Sequence, residues 1–174
     1  NIPGGEIGYI AEHLNIATVN VNFVPEDEWE LLADADFLRR ADQQFHWYNQ
    51  GYGTFDDFLE DLSSRKRKTI RRERRGAVEA DIEIEWLTGA ELTEAHWDAF
   101  FEFYMDTGSR KWGSPYLNRR FYSLINQRMA DRILLIMCKR AGRYIAGALN
   151  FIGGEALYGR YWGCIEDHRF LHFE

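Results

Sequence analysis

The spacing of hydrophobic residues divides the chain into segments of two different periods. Alternating apolar and polar residues predict strands, and apolar residues three or four positions apart predict helices. The predicted strands cover residues 16–24, 44–48, 81–87, 133–139, 144–151 and 156–162. The predicted helices cover residues 26–36, 54–75, 93–106 and 118–129. Ala141-Gly142 and Gly153-Gly154 are tight-turn pairs, so the last three strands are predicted to form an antiparallel meander.

Turn and cap residues set the expected ends of the second predicted helix. Thr54 followed by Asp57 fits a capping box, in which each side chain binds a free backbone N–H group of the other residue. Gly76 is expected to end this helix, because glycine is common just after a helical C-terminus. The segment 54–75 is therefore predicted to be one long helix.

Length and composition favour one mixed α/β domain over residues 1–174, with 1–80 and 81–174 as two half-domains. Hydrophobic residues make up 45% of the chain, enough for a core, which excludes disorder for most of it. The longest apolar run, residues 133–138, is far shorter than the roughly 20 residues that cross a bilayer. Two isolated cysteines favour free thiols and a cytoplasmic location. The apolar last residues have no helix stop signal, so we expect the domain to continue beyond Glu174.

A basic run inside the second predicted helix is the strongest local anomaly. Residues 65–75 contain eight Lys or Arg and one acid, so the run carries +7 and the remainder of the chain −14. Cations near a helical C-terminus are favourable, but two or three would suffice. Eight placed all round a helix repel one another, which favours an anionic ligand. Pairing with acidic groups of the same protein and a merely solvated face are the alternatives.

The last predicted strand carries an arginine between aromatic residues. Strict alternation places Tyr158, Arg160 and Trp162 on one face and Leu157, Gly159 and Tyr161 on the other. Such an arginine is either a stacked surface residue or a cation that faces substrate.

Two histidines near the end of the chain are candidates for a general base. His168 and His172 are four positions apart and would share one helical face if a helix began early enough. Arg169 stands where the zinc-hydrolase pattern requires Glu, so a metal is not expected. The alternative is a purely structural role, in which one histidine lies in a loop and the other packs against a helix. Cys164 has no basic neighbour in sequence and is interpreted as a buried bystander.

Several segments resemble a bacterial family of predicted N-acyltransferases, related to the Fem-type peptidoglycan aminoacyltransferases and placed in the GNAT superfamily. The resemblance runs from about residue 42 to the end. Its motifs are FHWYN at 45–49, FDDFL at 55–59, SSRKRK at 63–68, GALN at 147–150, LYGRYWGC at 157–164 and HFE at 172–174. No Walker loop, Ser-centred elbow or dinucleotide fingerprint accompanies them.

The resemblance implies an α/β acyltransferase fold with the meander at its centre. It also implies an acyl-donor site beside the turn that follows the last strand. In acetyl-CoA enzymes of this type that turn binds pyrophosphate through backbone N–H groups. Here residues 163–168 include Glu166 and Asp167, which are expected to repel a CoA pyrophosphate. Related transferases take the acyl group from aminoacyl-tRNA, which the basic helix would suit.

We therefore predict an N-acyltransferase that moves an acyl or aminoacyl group to an amine, in peptidoglycan or cell-envelope metabolism. The acyl donor, aminoacyl-tRNA or acyl-CoA, is left open, and no tightly bound cofactor is expected. The predicted substrate-facing and catalytic residues are Tyr158, Arg160, His168 and His172. The predicted donor-binding residues are Arg65, Lys66, Lys68, Arg71 and Arg72. The alternatives are a non-catalytic module that binds RNA or an anionic lipid precursor, and a partner surface marked by Trp29, Trp47 and Trp112.

Overall fold

The computed structural model describes residues 9, 12–22, 24–41, 43, 45–78, 81–110 and 115–173. These residues form two compact units, within Asn1–Gly51 and Tyr52–Glu174. The helices are α1 (Glu26–Asp34), α2 (Phe55–Asp61), α3 (Ser64–Val78), α4 (Glu94–Arg110) and α5 (Arg119–Met129). The strands are β1 (Ile82–Leu87), β2 (Ile133–Arg140), β3 (Arg143–Ile152) and β4 (Leu157–Cys164). Short 3-10 helices cover Gly89–Glu91, Ala130–Arg132 and Leu171–Phe173.

The first unit contains helix α1, further helical residues at positions 9, 12 and 13, and irregular segments. The strands predicted at 16–24 and 44–48 are wrong for the described residues, all of which have irregular backbone there; Phe23 and Gln44 lie outside the described residues. A strand needs a hydrogen-bonded neighbour as well as alternation. In the described part of the chain, every strand of the sheet belongs to the second unit. Trp29 and Trp47 are exposed in this unit, and Trp112 lies outside the described residues.

The second unit is built on a four-stranded antiparallel sheet in the order β1-β2-β3-β4. The predicted meander is confirmed, and so is the α/β class with helices flanking the sheet. Ala141 and Gly142 both have positive φ, 49° and 76°, as the two-residue turn between β2 and β3 requires. The strand predicted at 81–87 pairs with β2 along its length.

Each face of the sheet buries its own apolar cluster. Helices α4 and α5 cover the first face, and the buried side chains there include Trp97, Phe100, Phe103, Tyr122, Leu135, Met137 and Leu149. The second face buries Ile82, Cys138, Ile145, Ala146, Cys164 and Leu171. Both cysteines are buried and free, as predicted, and burial raises the pKa of Cys138 to about 11. The two apolar clusters therefore lie on opposite faces of the sheet.

The predicted long helix 54–75 is wrong, because it is two helices. The capping box of Thr54 and Asp57 is confirmed at the start of α2. The chain leaves the helix at Leu62, whose backbone is extended, and the Arg67 guanidinium donates to the freed carbonyl oxygens of Glu60 and Leu62. Side-chain capping thus replaces helical hydrogen bonds at a break that has no Pro or Gly.

Gly76 lies inside α3 rather than at its end, so its predicted role as a helix stop is also wrong. A Cβ at this position would approach the Phe170 ring to 3.0 Å. The glycine therefore allows α3 to lie close to the segment that carries Leu171, on the second face of the sheet. No helix in the described ranges is both long enough and apolar enough to span a bilayer.

Candidate functional site

A β-bulge in β4 determines where Arg160 lies. Leu149 of β3 pairs with Tyr161, but the next residue, Asn150, pairs with Gly159, so Arg160 is an extra residue in the ladder. A bulge breaks the alternation of faces. Tyr161 packs on the first-face cluster, whereas Trp162 packs on the second. The predicted common face of Tyr158, Arg160 and Trp162 is therefore wrong.

The Arg160 guanidinium lies among tyrosines at the edge of the first face. Its Cζ atom lies 4.2 Å from the centre of the Tyr161 ring, and its Nη2 donates to the Tyr116 hydroxyl at 2.6 Å. The hydroxyl oxygens of Tyr116 and Tyr161 are 2.5 Å apart. The Tyr161 ring meets the edge of the Tyr104 ring at 5.1 Å, and the Tyr104 hydroxyl accepts the N–H of Leu117. We name the residues Tyr104, Tyr116, Tyr122, Arg160 and Tyr161 the tyrosine–arginine cluster.

Two hydroxyls of this cluster, those of Tyr122 and Tyr161, have a pKa above the usual tyrosine value. Burial raises the pKa of Tyr161, and the hydrogen bond with Tyr116 adds to this shift. Burial also raises the pKa of Tyr122, whose fully buried hydroxyl has no hydrogen-bond partner among the described residues. Arg160 is exposed at the rim of the cluster. The cluster thus combines a cation with neutral hydrogen-bond donors, an arrangement suited to negative charge on an oxygen atom.

Tyr158 lies on the same face as Tyr161 but outside this cluster. It pairs with Phe151, which packs on the first-face cluster. Its side chain is 60% exposed, and its ring lies against Gly153 in the turn before β4. Tyr158 is therefore available to flank a bound molecule without contacting Arg160.

The two candidate histidines lie apart, and their predicted shared helical face is wrong. The terminal 3-10 helix begins at Leu171, whose N–H donates to the carbonyl oxygen of His168. His168 lies 3.2 Å from a carboxylate oxygen of Glu166. The ring of His172 packs on that of Trp162 at 4.6 Å, on the second face. Neither imidazole contacts the tyrosine–arginine cluster in the described part of the chain.

The turn after β4 is less negative than its sequence indicates. Arg140 donates from both Nε and Nη2 to one carboxylate oxygen of Glu166. These bonds, and then the one with His168, lower the pKa of Glu166. One of the two carboxylates of this turn is thus ion-paired within the protein, which reduces the repulsion of a pyrophosphate predicted for this turn.

The basic residues of α3 are concentrated on one side of the helix, which corrects the expectation that they surround it. At 100° per residue, one arc of about 120° contains Arg65, Lys68, Arg71, Arg72 and Arg75. We name these five residues the cationic face. The opposite side carries the buried Ala77. The cationic face therefore points away from the sheet.

Acidic neighbours neutralise little of this face. Arg71 pairs with Asp56 of α2 at 3.1 Å, in an exposed position. The other four residues of the cationic face have no acidic partner among the described residues, and neither does Lys66 on the same helix. Intramolecular pairing, one of the alternatives left open by the sequence, therefore accounts for one of the five cations.

The cationic face borders a groove between α2 and α3 with a volume of about 730 Å³. Lys68, Arg71, Arg72 and Arg75 line it from α3. The groove lies beyond the second face of the sheet, whereas the tyrosine–arginine cluster lies on the first. The predicted donor-binding and catalytic residues are thus not brought together into one cleft.

Sequence reasoning identified Arg160 but missed its tyrosine neighbours. Tyr161 was assigned to the opposite face, and Tyr116 lies in the connection before α5. No periodic signal marks Tyr104 as different from the other aromatic residues of α4. In the described ranges, no three His, Cys, Asp or Glu side chains are grouped as metal ligands.

The sequence model of the FemAB_like family, described as peptidoglycan biosynthesis/recognition, matches residues 5–174. The match covers both units and therefore both candidate surfaces. No curated protein matches the chain.

Proposed function

Because the chain belongs to the FemAB_like family of peptidoglycan biosynthesis/recognition, we propose that it is an N-acyltransferase acting in peptidoglycan or cell-envelope metabolism. It would move an acyl or aminoacyl group from an activated ester or thioester to an amine. The amine nitrogen forms a bond to the carbonyl carbon, the donor oxygen or sulfur leaves, and the amine loses a proton. The predicted GNAT relationship and cytoplasmic location are part of this proposal.

The tyrosine–arginine cluster is the observation that carries the proposal. During acyl transfer the carbonyl oxygen gains negative charge, and donors aimed at that oxygen lower the barrier. The Arg160 guanidinium and the hydroxyls of Tyr116 and Tyr161 form such a set at the solvent-facing rim. In this proposal Arg160 stabilises the oxyanion, the two hydroxyls orient and assist it, and Tyr158 flanks the acceptor.

Acyl transfer to an amine also needs a base that accepts the amine proton. The sequence assigns it to His168 or His172. Since Glu166 holds His168 and Trp162 packs on His172, either imidazole would act only after a rearrangement or through water. Their role as base stays a prediction.

Product formation tests the proposal directly. The chain is incubated with charged tRNA or acyl-CoA and with amine-bearing peptidoglycan precursor peptides, and acylated product is measured by mass spectrometry. We expect product with one donor class, and a large loss with Arg160→Gln. If the Arg160 variant forms product at the normal rate, the tyrosine–arginine cluster has no catalytic role.

A second function is favoured by the cationic face. We propose, as the alternative, a non-catalytic module that holds an anionic molecule on α3. Four cations without acidic partners among the described residues, in a chain of net charge −7, support an external anionic ligand. Salt-sensitive RNA or anionic-lipid binding without product from any donor would favour this function over catalysis.

A further inference from the structure

We propose that the groove between α2 and α3 is a binding site for a small ligand that carries two or more linked phosphates. This inference rests on the anion-binding surface of the second proposed function, but it requires no turnover. It identifies the ligand as compact rather than as an extended nucleic acid or a lipid surface.

The charge of the groove favours a multiply charged anion. Five basic side chains and one carboxylate line it, and Arg71 neutralises that carboxylate. Lys68, Arg72 and Arg75 repel one another at this spacing, and the described residues supply no anion between them. A polyanion in the groove would convert this repulsion into charge-assisted hydrogen bonds.

The shape of the groove favours a small molecule. Its volume of about 730 Å³ falls within the range of about 300–1,000 Å³ that is typical of ligand pockets. A flat lipid surface would instead contact the exposed crest of a helix. Arg65 and Lys66 do not line the groove, although both are exposed and lie three and two residues before Lys68 on the same helix. The basic residues of α3 that line the groove are therefore those on the side that faces α2.

The wall opposite α3 supplies complementary groups. The Thr54 side chain lines the groove, and its hydroxyl oxygen accepts the N–H of Asp57 at 3.1 Å, which fixes the first turn of α2. Phe55 and Leu59 supply apolar surface, and the Arg74 guanidinium lies 4.2 Å from the centre of the Phe55 ring. A ligand with linked phosphates and a neighbouring planar or apolar part would match both kinds of contact.

Linked phosphates fit better than a single one. Lys68 and Arg75 are seven residues apart, which is about 10 Å along the helix axis. Arg72 lies between them on the same arc. One phosphate group can meet one end of this row, whereas a chain of phosphates can contact its whole length.

Calorimetric titration of the whole chain tests the inference. The probes are inorganic pyrophosphate and tripolyphosphate, with orthophosphate as the comparison, at about 50 and 200 mM salt. We expect the linked phosphates to bind at least about 10-fold more tightly than orthophosphate, and binding to weaken with salt. Equal affinity for orthophosphate, or no heat of binding with pyrophosphate, would overturn the inference.

Variants with matched charge separate a built site from general electrostatics. Arg72→Gln and Arg75→Gln each remove one charge from the groove, and Lys66→Gln removes one charge from the same helix outside it. We expect each arginine variant to weaken pyrophosphate binding by about 10-fold and Lys66→Gln to weaken it by less than about 2-fold. Equal losses in all three would overturn the inference. Unchanged thermal midpoints confirm that these exposed substitutions leave the fold intact.

Competition decides between a compact ligand and an extended one. Single-stranded RNA and phosphatidylglycerol vesicles are added to the chain with and without pyrophosphate. Displacement of either by pyrophosphate supports the groove as the site. If the chain binds RNA or vesicles but does not bind pyrophosphate, and pyrophosphate does not displace them, the inference is contradicted. Arg160→Gln should leave pyrophosphate binding unchanged, so failure of the catalytic proposal is distinguishable from failure of this one.

Discussion

The tyrosine–arginine cluster and the cationic groove place positive charge on the surface in different ways. The cluster depends on tertiary structure, since Arg160 is positioned by a bulge in β4, by Tyr116 of a connection, and by the first-face core. The groove depends on two consecutive helices, and its cations follow the periodicity of α3. Arg160 donates to a tyrosine hydroxyl, whereas Lys68, Arg72 and Arg75 of the groove have no acidic partner among the described residues.

The two surfaces therefore differ in what they contribute to ligand recognition: the cluster favours specificity, and the groove favours affinity. A guanidinium fixed by stacking and by a hydrogen bond is preorganised, so it can favour one charge distribution of a reacting group. Cations on long, exposed side chains attract anions strongly but discriminate little. We therefore expect substitutions in the cluster to affect turnover, and substitutions at the groove to affect binding and its salt dependence.

The largest expected effect is on turnover and comes from Arg160→Gln. Loss of one preorganised oxyanion donor typically lowers kcat by about 100-fold or more. Product formation with the productive donor is the measurement. Arg143→Gln is the matched control, because Arg143 is an exposed arginine on the neighbouring strand whose contact with Glu102 is long, 3.7 Å. Similar losses in both variants would contradict a special role for the cluster.

The next effect is on stability and comes from Gly163→Ala. A Cβ at Gly163 would lie 2.7 Å from the Phe103 carbonyl oxygen of α4 and 2.9 Å from the Thr107 hydroxyl oxygen. Since backbone is the obstacle, β4 and α4 must separate, and we expect a loss of about 1–3 kcal/mol in the free energy of unfolding.

Gly154→Ala is the control for this steric argument. Nothing lies within 4 Å of a Cβ at Gly154, so we expect a change within about 0.5 kcal/mol. Denaturant unfolding measures both variants. A Gly163 variant as stable as the Gly154 variant would show that β4 does not depend on close approach to α4.

Two tyrosine variants should separate hydrogen bonding from packing inside the cluster. Tyr161→Phe removes a hydroxyl paired with Tyr116, so we expect a loss of about 1 kcal/mol in stability together with reduced turnover. Tyr122→Phe removes a buried hydroxyl that has no partner among the described residues, so its stability should be unchanged or higher by up to about 1 kcal/mol. A destabilised Tyr122 variant would reveal a partner for that hydroxyl.

The groove predicts a smaller stability effect through its α2 wall. Thr54→Ala removes the acceptor for the N–H of Asp57, and loss of such a cap costs about 1 kcal/mol. Thermal unfolding of the variant measures this loss.

The smallest effect is the dependence of this cap on pH. Hydrogen bonds with the side chain and then the backbone of Thr54 lower the pKa of Asp57 below its ordinary value of 3.8. A carboxylate with a lowered pKa contributes stability above its unfolded-state pKa, and that contribution is lost as pH falls through the folded-state pKa. Asp57→Asn should therefore be less stable than the natural chain at neutral pH, with the difference shrinking below about pH 4. A constant difference across this range would contradict the assignment.

Local patterns predicted the elements whose structure is locally determined. The meander strands, α4, α5 and the capping box at Thr54 follow from periodicity, turn pairs and short-range hydrogen bonds. The break at Leu62 could not be predicted, because the Arg67 side chain replaces the usual Pro or Gly signal. The strand predicted at 16–24 failed because alternation cannot supply a neighbouring strand.

The candidate site was predictable only in part. Arg160 was noticed because it stands between aromatic residues on a predicted strand, and the basic run was noticed because of its charge. The bulge could not be predicted, because it depends on the register in which β3 and β4 pair. That one inserted residue moves Trp162 to the opposite face and places Arg160 beside Tyr161. Contacts across the sheet therefore decide which predicted residues meet.

The order of the strands has a consequence for how the second unit folds. β2, β3 and β4 are joined by short turns, so the entropy lost in closing those loops is small. β1 must close a loop that contains both α4 and α5 before it pairs with β2. Because contacts distant in sequence form slowly, we expect the meander to nucleate folding and β1 to dock last. Its amide hydrogens should be the first of the sheet to exchange with solvent.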